Sequence, residues 1–177
     1  MAGDASNARL WADADVYVSF DLDATVPATV ATEFSVDWDL VGLLDGDAGF
    51  TESRSMDETD HFAWGGILVK TGRRNYKETH SFTALEWNET TERLYRPGSD
   101  TPGTYKVALK PERVLIAFET REDGVVKRLI SAFEAEIVVS GDINRNESNI
   151  SSLEFVATIF PTADGDLWTV QETVTGS

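Results

Sequence analysis

Two glutamates and two histidines are the residues of this sequence whose types and spacing come closest to a catalytic or metal site. Glu134 and Glu136 stand two apart in an alternating segment, which places their carboxylates on one strand face with α-carbons about 6.5–7 Å apart. Glycosidases use carboxylate pairs at comparable distances, but no aromatic platform for a sugar is evident nearby, so a polar strand face is favoured. His61 and His80 lack metal-ligand spacing. We expect His80 to be a surface or interface side chain and His61 to lie in a solvated acidic loop, with a metal site there as the less favoured alternative.

Other motifs of catalysis or metal binding are missing or incomplete. The chain has no cysteine, no G-x-S-x-G and no H-E-x-x-H. The run DINRNES, from Asp142 to Ser148, begins like a calcium loop, but Glu147 stands where glycine is needed and Leu153 where a bidentate glutamate is needed. The sequence therefore predicts no enzyme, no catalytic residue, no cofactor and no metal.

The charge of the chain is strongly negative and unevenly distributed. Its 177 residues, enough for one domain, include 31 acidic and 15 basic residues, for a net charge of −16. Residues 1–65 hold 14 acidic and 2 basic residues, residues 66–128 hold 9 and 12, and residues 129–177 hold 8 and 1. Such a balance argues against ordinary DNA or membrane-surface binding. Acidic ends around a basic middle can pair within one chain or head to tail between copies, and both alternatives stay open.

Strand signals dominate the hydrophobic pattern. Period-two alternation marks half-buried antiparallel strands, and a continuous apolar run marks a strand covered on both faces. The alternating segments are Asp15–Asp21, Glu33–Leu40, Ser151–Phe160 and the stretch from Val125 to Val139 that includes Phe133; the continuous run is Val114–Phe118; Leu167–Val174 is a last strand. Asp123-Gly124 and Asp164-Gly165 are typical of hairpin turns.

One short helix is predicted after the central strands. Asn88 is a good N-cap, and Pro97-Gly98 ends the helix. One helical face carries Trp87, Thr91, Leu94 and Tyr95. Two pairs in the favoured i,i+4 order, Glu89–Arg93 and Glu92–Arg96, would support it.

These elements predict a mainly β protein, an antiparallel β-sandwich of seven or eight strands with one short α-helix. Residues 1–14 are expected to form a flexible N-terminal arm, residues 15–174 the single domain, and residues 175–177 the C-terminal end. The polar stretch 51–60 lacks periodicity, so a long loop is expected at about 45–72. No secretion signal and no apolar run long enough for a membrane helix is evident, which favours folding in a reducing cytoplasm without membrane contact.

Three stretches of the chain carry a resemblance to a known family. They are DVYVSF at 15–20, the block from Val36 to Tyr95 that contains VGLLDGD, AWGGILVKTGRRNYKETHSF and LEWNETTERLY, and FPTADGDLWTV at 160–170. Over Asp15 to Val174 the chain resembles the major tail tube proteins of long, flexible-tailed, non-contractile bacteriophages. The most specific part is Leu43 to Tyr95, and no part of it is an active-site signature.

The resemblance implies a structural virion protein. Such subunits are a tail-tube β-sandwich with one helix, and they form rings, usually hexameric, that stack into a tube. One sheet of each subunit continues into its neighbours as a barrel around the lumen, and a long loop reaches adjacent rings. DNA passes through the lumen without specific binding. The implied partners are other copies of the chain, the tape measure protein, the tail terminator and the tail-tip or baseplate proteins; the implied location is the virion tail, after synthesis in the host bacterial cytoplasm.

Two sets of residues are candidates for this role, and one alternative function stays open. The candidate lumen-facing acids are Glu33, Asp37, Asp39, Glu134, Glu136 and Glu154. The candidate inter-subunit contacts are Asp57, Glu58, Asp60, Trp64, Lys70, Arg73, Arg74 and Lys77. The alternative is a monomeric β-sandwich that binds a carbohydrate or peptide through Trp64, Trp87 and Tyr95.

Overall fold

Three of the four alternating segments of the sequence fold as antiparallel strands, as predicted. A computed structural model describes residues 8–99, 102–107 and 109–173; residues 1–7 of the expected N-terminal arm, Val174 and the 175–177 end lie outside the described residues. Within these ranges the elements are β1 (Asp13–Ser19), β2 (Asp39–Leu40), β3 (Thr51–Phe62), β4 (Leu68–Ala84), α1 (Glu89–Tyr95), β5 (Arg113–Glu122), β6 (Val125–Ser131), β7 (Ala135–Ser140), β8 (Leu153–Ile159) and β9 (Trp168–Glu172). No helix among the described residues is long and apolar enough to cross a bilayer.

The strands form two groups that meet at β5. A first sheet has the order β2-β1-β5-β6-β9, and a second has the order β7-β8-β4-β3, with every pair antiparallel. The two join where Arg113 and Val114 at the start of β5 pair with β7. Because apolar side chains of both sheets share one core, the arrangement is consistent with the predicted β-sandwich.

Aromatic rings connect the two sheets through the core. Phe82 of β4 stacks on Phe155 of β8 at a centroid distance of 5.3 Å and meets Phe118 of β5 edge-on at 5.8 Å. Val16 and Val18 of β1 are completely buried beside them. Full burial of each such side chain stabilises the fold by about 1.5–3 kcal/mol. β1 and β8 thus each bury one face, as predicted for half-buried strands.

The other face of β5 is covered by the segment 20–38. Leu115 and Ala117 point away from the main core and pack in a second cluster with Trp38 and Phe34. The prediction that Val114–Phe118 is covered on both faces is therefore confirmed.

The predicted strand Glu33–Leu40 is wrong, since only Asp39 and Leu40 pair, with β1. Trp38 donates its backbone N–H to the carbonyl of Ser35 at 3.1 Å, so a turn replaces the extended chain. Val36 is 97 % exposed, whereas a strand would have placed it on the same face as Trp38. Phe34 and Trp38 pack in the second cluster from either side of this turn, and their spacing gave the sequence its false alternation.

Helix α1 begins directly after Asn88, the predicted N-cap. The Asn88 side chain accepts the backbone N–H of Thr91 at 3.0 Å, and the Thr91 hydroxyl accepts the N–H of Asn88 at 2.8 Å, a reciprocal capping box. The predicted i,i+4 ion pairs are wrong. Arg93 pairs with Glu112 instead, and Arg96 stacks over Tyr95 and Tyr105.

The turns correct two further predictions. Asp123-Gly124 connects β5 to β6 with φ values of 44° and 80°, as a tight hairpin turn requires. Asp164-Gly165 forms a local turn closed by Thr162, but it is not a hairpin, because β9 pairs with β6 and not with β8. Residues 125–139 form two strands, and Phe133, in the bend between them, is 44 % exposed and does not join the inward face.

Candidate assembly interface

The segment expected to be a long loop is a β-hairpin that extends beyond the body of the protein. β4 pairs with β8 only from Glu78 to Ala84, so residues 68–77 pair with β3 alone. Ten strand residues span about 33 Å. Every residue of β3 is exposed. The loop prediction for 51–62 and 68–72 is therefore wrong, and we call residues 54–77 the hairpin arm.

Local sequence explains why this arm forms without a buried face. Gly65 and Gly66 take φ values of 90° and 80° at the turn, which residues with a side chain rarely adopt. The N–H of Ala63 donates to the carbonyl of Ile67 at 2.8 Å and closes the turn. The strands are then held by backbone bonds and cross-strand polar pairs, none of which produces a hydrophobic period.

The predicted acidic and basic contact residues face each other across the arm. Asp57 lies opposite Arg74, Glu58 opposite Arg73, and Asp60 opposite Thr71. Arg73 Nε lies 2.7 Å from Glu58 Oε1, with both side chains more than half exposed. Of the two alternatives for the opposite charges, this pair forms within one chain. Such an exposed ion pair contributes only about 0–1 kcal/mol to the free energy of unfolding.

Three of the predicted basic contacts keep their charge available on the arm. Lys70, Arg74 and Lys77 make no ion pair within 4.0 Å among the described residues, while Asp57 and Asp60 accept hydrogen bonds from the neutral side chains of Asn75 and Thr71. Residues 54–77 hold five basic and three acidic residues in a chain of net charge −16. The arm is thus a positive projection from a negative body.

The end of the arm is an exposed apolar surface. Trp64 is fully exposed at 101 %, and its neighbours Phe62, Ile67, Leu68 and Val69 are between 52 % and 67 % exposed. We call these five residues the apolar tip. A patch of exposed apolar residues on a projection is a candidate surface for contact with another molecule.

The six candidate lumen acids fall into two groups, three in or beside the first sheet and three in or beside the second. Glu33, Asp37 and Asp39 are exposed in and beside the segment that covers the first sheet. Glu136 and Glu154 lie on neighbouring strands of the second sheet, and Glu134 just precedes β7. Arg113 neutralises part of this second group, with Nη1 2.5 Å from Glu134 Oε2 and Nε 3.1 Å from Glu136 Oε1.

The predicted position of His80 is wrong, because its side chain is buried at the base of the arm. His80 and Glu78 are 3 % and 2 % exposed, and His80 Nε2 lies 3.2 Å from Glu78 Oε1. Trp168 Nε1 donates to Glu78 Oε1 at 2.6 Å, and the Tyr76 hydroxyl donates to Oε2. Burial by itself would raise the pKa of Glu78, but hydrogen bonds from Trp168, Tyr76 and His80 outweigh it and hold the pKa below its ordinary value.

A sequence signal for this buried pair exists. Counting back in steps of two from the apolar residues Ala84 and Phe82 reaches His80 and then Glu78, so all four share the inward face of β4. Glu52 of β3 lies opposite His80, and its carboxylate is 3.9 Å from His80 Nε2. Within the described ranges these are the carboxylates and imidazole that could hold a metal ion, with ligand atoms inside 4.8 Å of one another.

A second buried network fastens the 20–38 segment. Arg128, 7 % exposed, pairs with Glu119, and Nη1 donates to the carbonyl oxygen of Thr32 at 2.7 Å. Arg121 pairs with Glu119 and with Asp15; burial lowers the pKa of Arg121, but these carboxylates raise it well above its ordinary value. Sequence patterns did not indicate this network, since its members come from four separate segments.

A cleft of about 650 Å³ opens between the first sheet and the base of the arm. Trp11, Phe50, Phe118 and Leu129 contribute apolar surface, and His80 lies among the lining residues. Trp64, Trp87 and Tyr95, the aromatics named for a binding module, are not in this lining. Trp87 and Tyr95 contact each other edge-on at 5.9 Å against α1, while Trp64 is at the tip of the arm.

Neither a family model nor a curated protein matches the chain significantly.

Proposed function

We propose that this protein is the structural subunit of a bacteriophage tail tube, which self-assembles into stacked, hexameric rings around a lumen that conducts DNA into the host. The observation that carries the proposal is the hairpin arm with its exposed apolar tip. A free monomer gains nothing from about 33 Å of two-stranded hairpin that buries none of its β3 side chains. A subunit that must reach the next copy needs such an arm.

Open sheet edges support the same function. In the described part of the chain β3 pairs only with β4, and β9 pairs only with β6, so each sheet ends in a strand with unsatisfied backbone groups. Edge strands of this kind invite pairing with another chain. When copies close into a ring, a sheet that continues from one subunit to the next has no remaining edge.

The net negative charge of the chain supports a tube that conducts DNA without binding it. The chain carries −16, and DNA is a dense polyanion, so a tube wall rich in carboxylates repels the duplex and lets it slide. The exposed acids Glu33, Asp37, Asp39 and Glu154 are candidates for that wall. Glu134 and Glu136 are weaker candidates, because Arg113 already pairs with both.

The heterologous contact between copies joins unlike surfaces. The arm is positive, with Lys70, Arg74 and Lys77 unpaired among the described residues, whereas the body supplies the negative charge. A contact between two different surfaces repeats indefinitely and builds a ring or a stack. The tape measure protein inside the tube, the terminator at one end and the tail-tip or baseplate proteins at the other complete the proposed set of partners.

A binding module remains the second candidate, and the cleft of about 650 Å³ favours it. Its size is that of a small-molecule pocket. The two functions predict different particle masses in solution. A binding module stays at the 19.5 kDa of one chain, and a ring of six has six times that mass. Light scattering of the tag-free protein over rising concentration is expected to show growth to rings and tubes. A constant monomer mass at the highest attainable concentration would refute the tail-tube proposal.

A further inference from the structure

The base of the hairpin arm holds an arrangement of ligands that the proposed function does not use. Glu52 of β3 and Glu78 and His80 of β4 present three ligand atoms within 4.8 Å of one another. Two of the three side chains are buried, Glu78 at 2 % and His80 at 3 % exposure. Buried carboxylates and imidazoles need a compensating partner, and a cation is one such partner.

The distances fit a zinc ion. A tetrahedral Zn²⁺ with ligands about 2.0–2.2 Å away places those ligand atoms about 3.3–3.5 Å apart. His80 Nε2 lies 3.2 Å from Glu78 Oε1 and 3.9 Å from Glu52 Oε2, so these two separations bracket that spacing. The two carboxylates lie within 4.8 Å of each other. Glu52 is 38 % exposed at its side chain and can move the remaining fraction of an ångström.

Surrounding groups already orient the ligands. Trp168 Nε1 donates to Glu78 Oε1 at 2.6 Å, and the Tyr76 hydroxyl donates to Oε2, which fixes the plane of that carboxylate. The His80 ring is held by Trp168 at a centroid distance of 4.6 Å and by Phe118 at 5.3 Å. Outer partners of this kind hold metal ligands in position.

The charge of the three ligands and their position at the cleft are also compatible with a bound divalent cation. Two carboxylates and a neutral imidazole balance a divalent cation. Arg54 is the present counter-ion, with Nε 3.4 Å from Glu78 Oε2 and an ion pair to Glu52. Its side chain is 64 % exposed and can turn into solvent. Glu52 and His80 line the cleft, so the cleft gives an ion a path from solvent to the cluster.

We propose that Glu52, Glu78 and His80 form a binding site for a zinc-type divalent transition-metal ion at the base of the hairpin arm. The imidazole selects such a metal over Ca²⁺ and Mg²⁺, which prefer all-oxygen sites. The ion connects β3 to β4 where the arm leaves the body, and through Trp168 of β9 the site contacts the first sheet. It fixes the direction in which the arm projects.

Isothermal titration of the chelator-treated, tag-free full chain with ZnCl₂ tests the site. One equivalent is expected to bind, and E52Q, at an exposed ligand that the fold does not need, should weaken binding at least about tenfold. H61N is the matched control, since His61 is the other histidine and lies exposed on the same hairpin; it should bind like the unmodified chain. R54A removes the competing cation and should tighten zinc binding.

Thermal unfolding provides an independent measurement. Zinc at about 100 times its dissociation constant should raise the melting temperature by about 5–10 °C in the unmodified chain and in H61N, and much less in E52Q. Equal binding of Ca²⁺, no zinc binding, or equal loss in E52Q and H61N would overturn the proposal and leave the cluster as an ion-pair network with Arg54.

Discussion

Replacing Trp64 with serine is expected to stop assembly without weakening the subunit. Trp64 is 101 % exposed at the apolar tip and makes no ring contact within its own chain among the described residues. The free energy of unfolding should therefore change by less than about 0.5 kcal/mol. All of the effect should fall on the contact that the side chain makes with another copy.

The expected loss of contact free energy can be calculated from the apolar area that Trp64 would bury in the interface. A tryptophan side chain buries about 150–250 Å² in an interface, and at about 25 cal/mol per Å² this corresponds to about 4–6 kcal/mol before the costs of association. Interface residues that dominate binding lose about 2 kcal/mol or more on truncation. Each contact in W64S should accordingly weaken by at least about 30-fold, and a ring multiplies the loss over its copies.

Pelleting of assembled material by ultracentrifugation, with urea unfolding of the same preparations, separates the two quantities. V36S is the matched control, because Val36 is 97 % exposed but lies in the 20–38 segment, away from the arm. It should assemble normally and unfold at the same urea concentration. The reasoning fails if W64S pellets like the unmodified chain, or if it unfolds at distinctly lower urea, which would place Trp64 in the fold of its own subunit.

Three further substitutions test the charges and contacts described above. R74E reverses a charge that has no ion pair among the described residues, so pelleting should fall while the melting temperature stays within about 1 °C; a folded R74E that assembles normally would exclude Arg74 of the hairpin arm from the interface. R128M removes one of the two arginines that pair with Glu119 and frees the carbonyl of Thr32, so urea unfolding should show a loss of about 1–3 kcal/mol, and a neutral result would contradict the network. N88A removes the cap of α1 and should cost about 0.5–2 kcal/mol in the same assay, whereas no change would show that the cap is dispensable.

Elements that bury a side chain could be predicted from the sequence. β1 and β8 each bury one face, β5 buries both, and α1 has a capping box, so all four appear as a period or as a cap. The physical cause is the same in each case: burial selects apolar side chains at the spacing of the element.

The hairpin arm could not be predicted, because nothing in it is buried. β3 has twelve exposed residues, and its pairing with β4 depends on backbone bonds and on a register that sequence periodicity does not contain. The acidic and basic residues of the arm are exposed, as predicted. Their partners could not be predicted, because Glu58 and Arg73 are fifteen residues apart in the sequence and meet only when β3 pairs with β4. The segment 33–38 shows the opposite error, in which turn residues imitate a strand.

The candidate metal cluster was missed for a related reason. Glu78 and His80 continue the inward face of β4 past the last apolar residue, where polar side chains are ordinarily interpreted as solvent-facing. Trp168, ninety residues later than Glu78, and Phe118 cover this end of β4. Local spacing places Glu78 and His80 on the inward face of β4, but it does not show that distant segments cover that face.

Electron microscopy of the concentrated, purified chain tests the central claim most directly. A tail-tube subunit is expected to form rings with an open lumen, and stacks of those rings, with the hairpin arm of one copy in contact with the next. Dispersed single particles of 19.5 kDa at every concentration, with no ring and no lumen, would contradict the account.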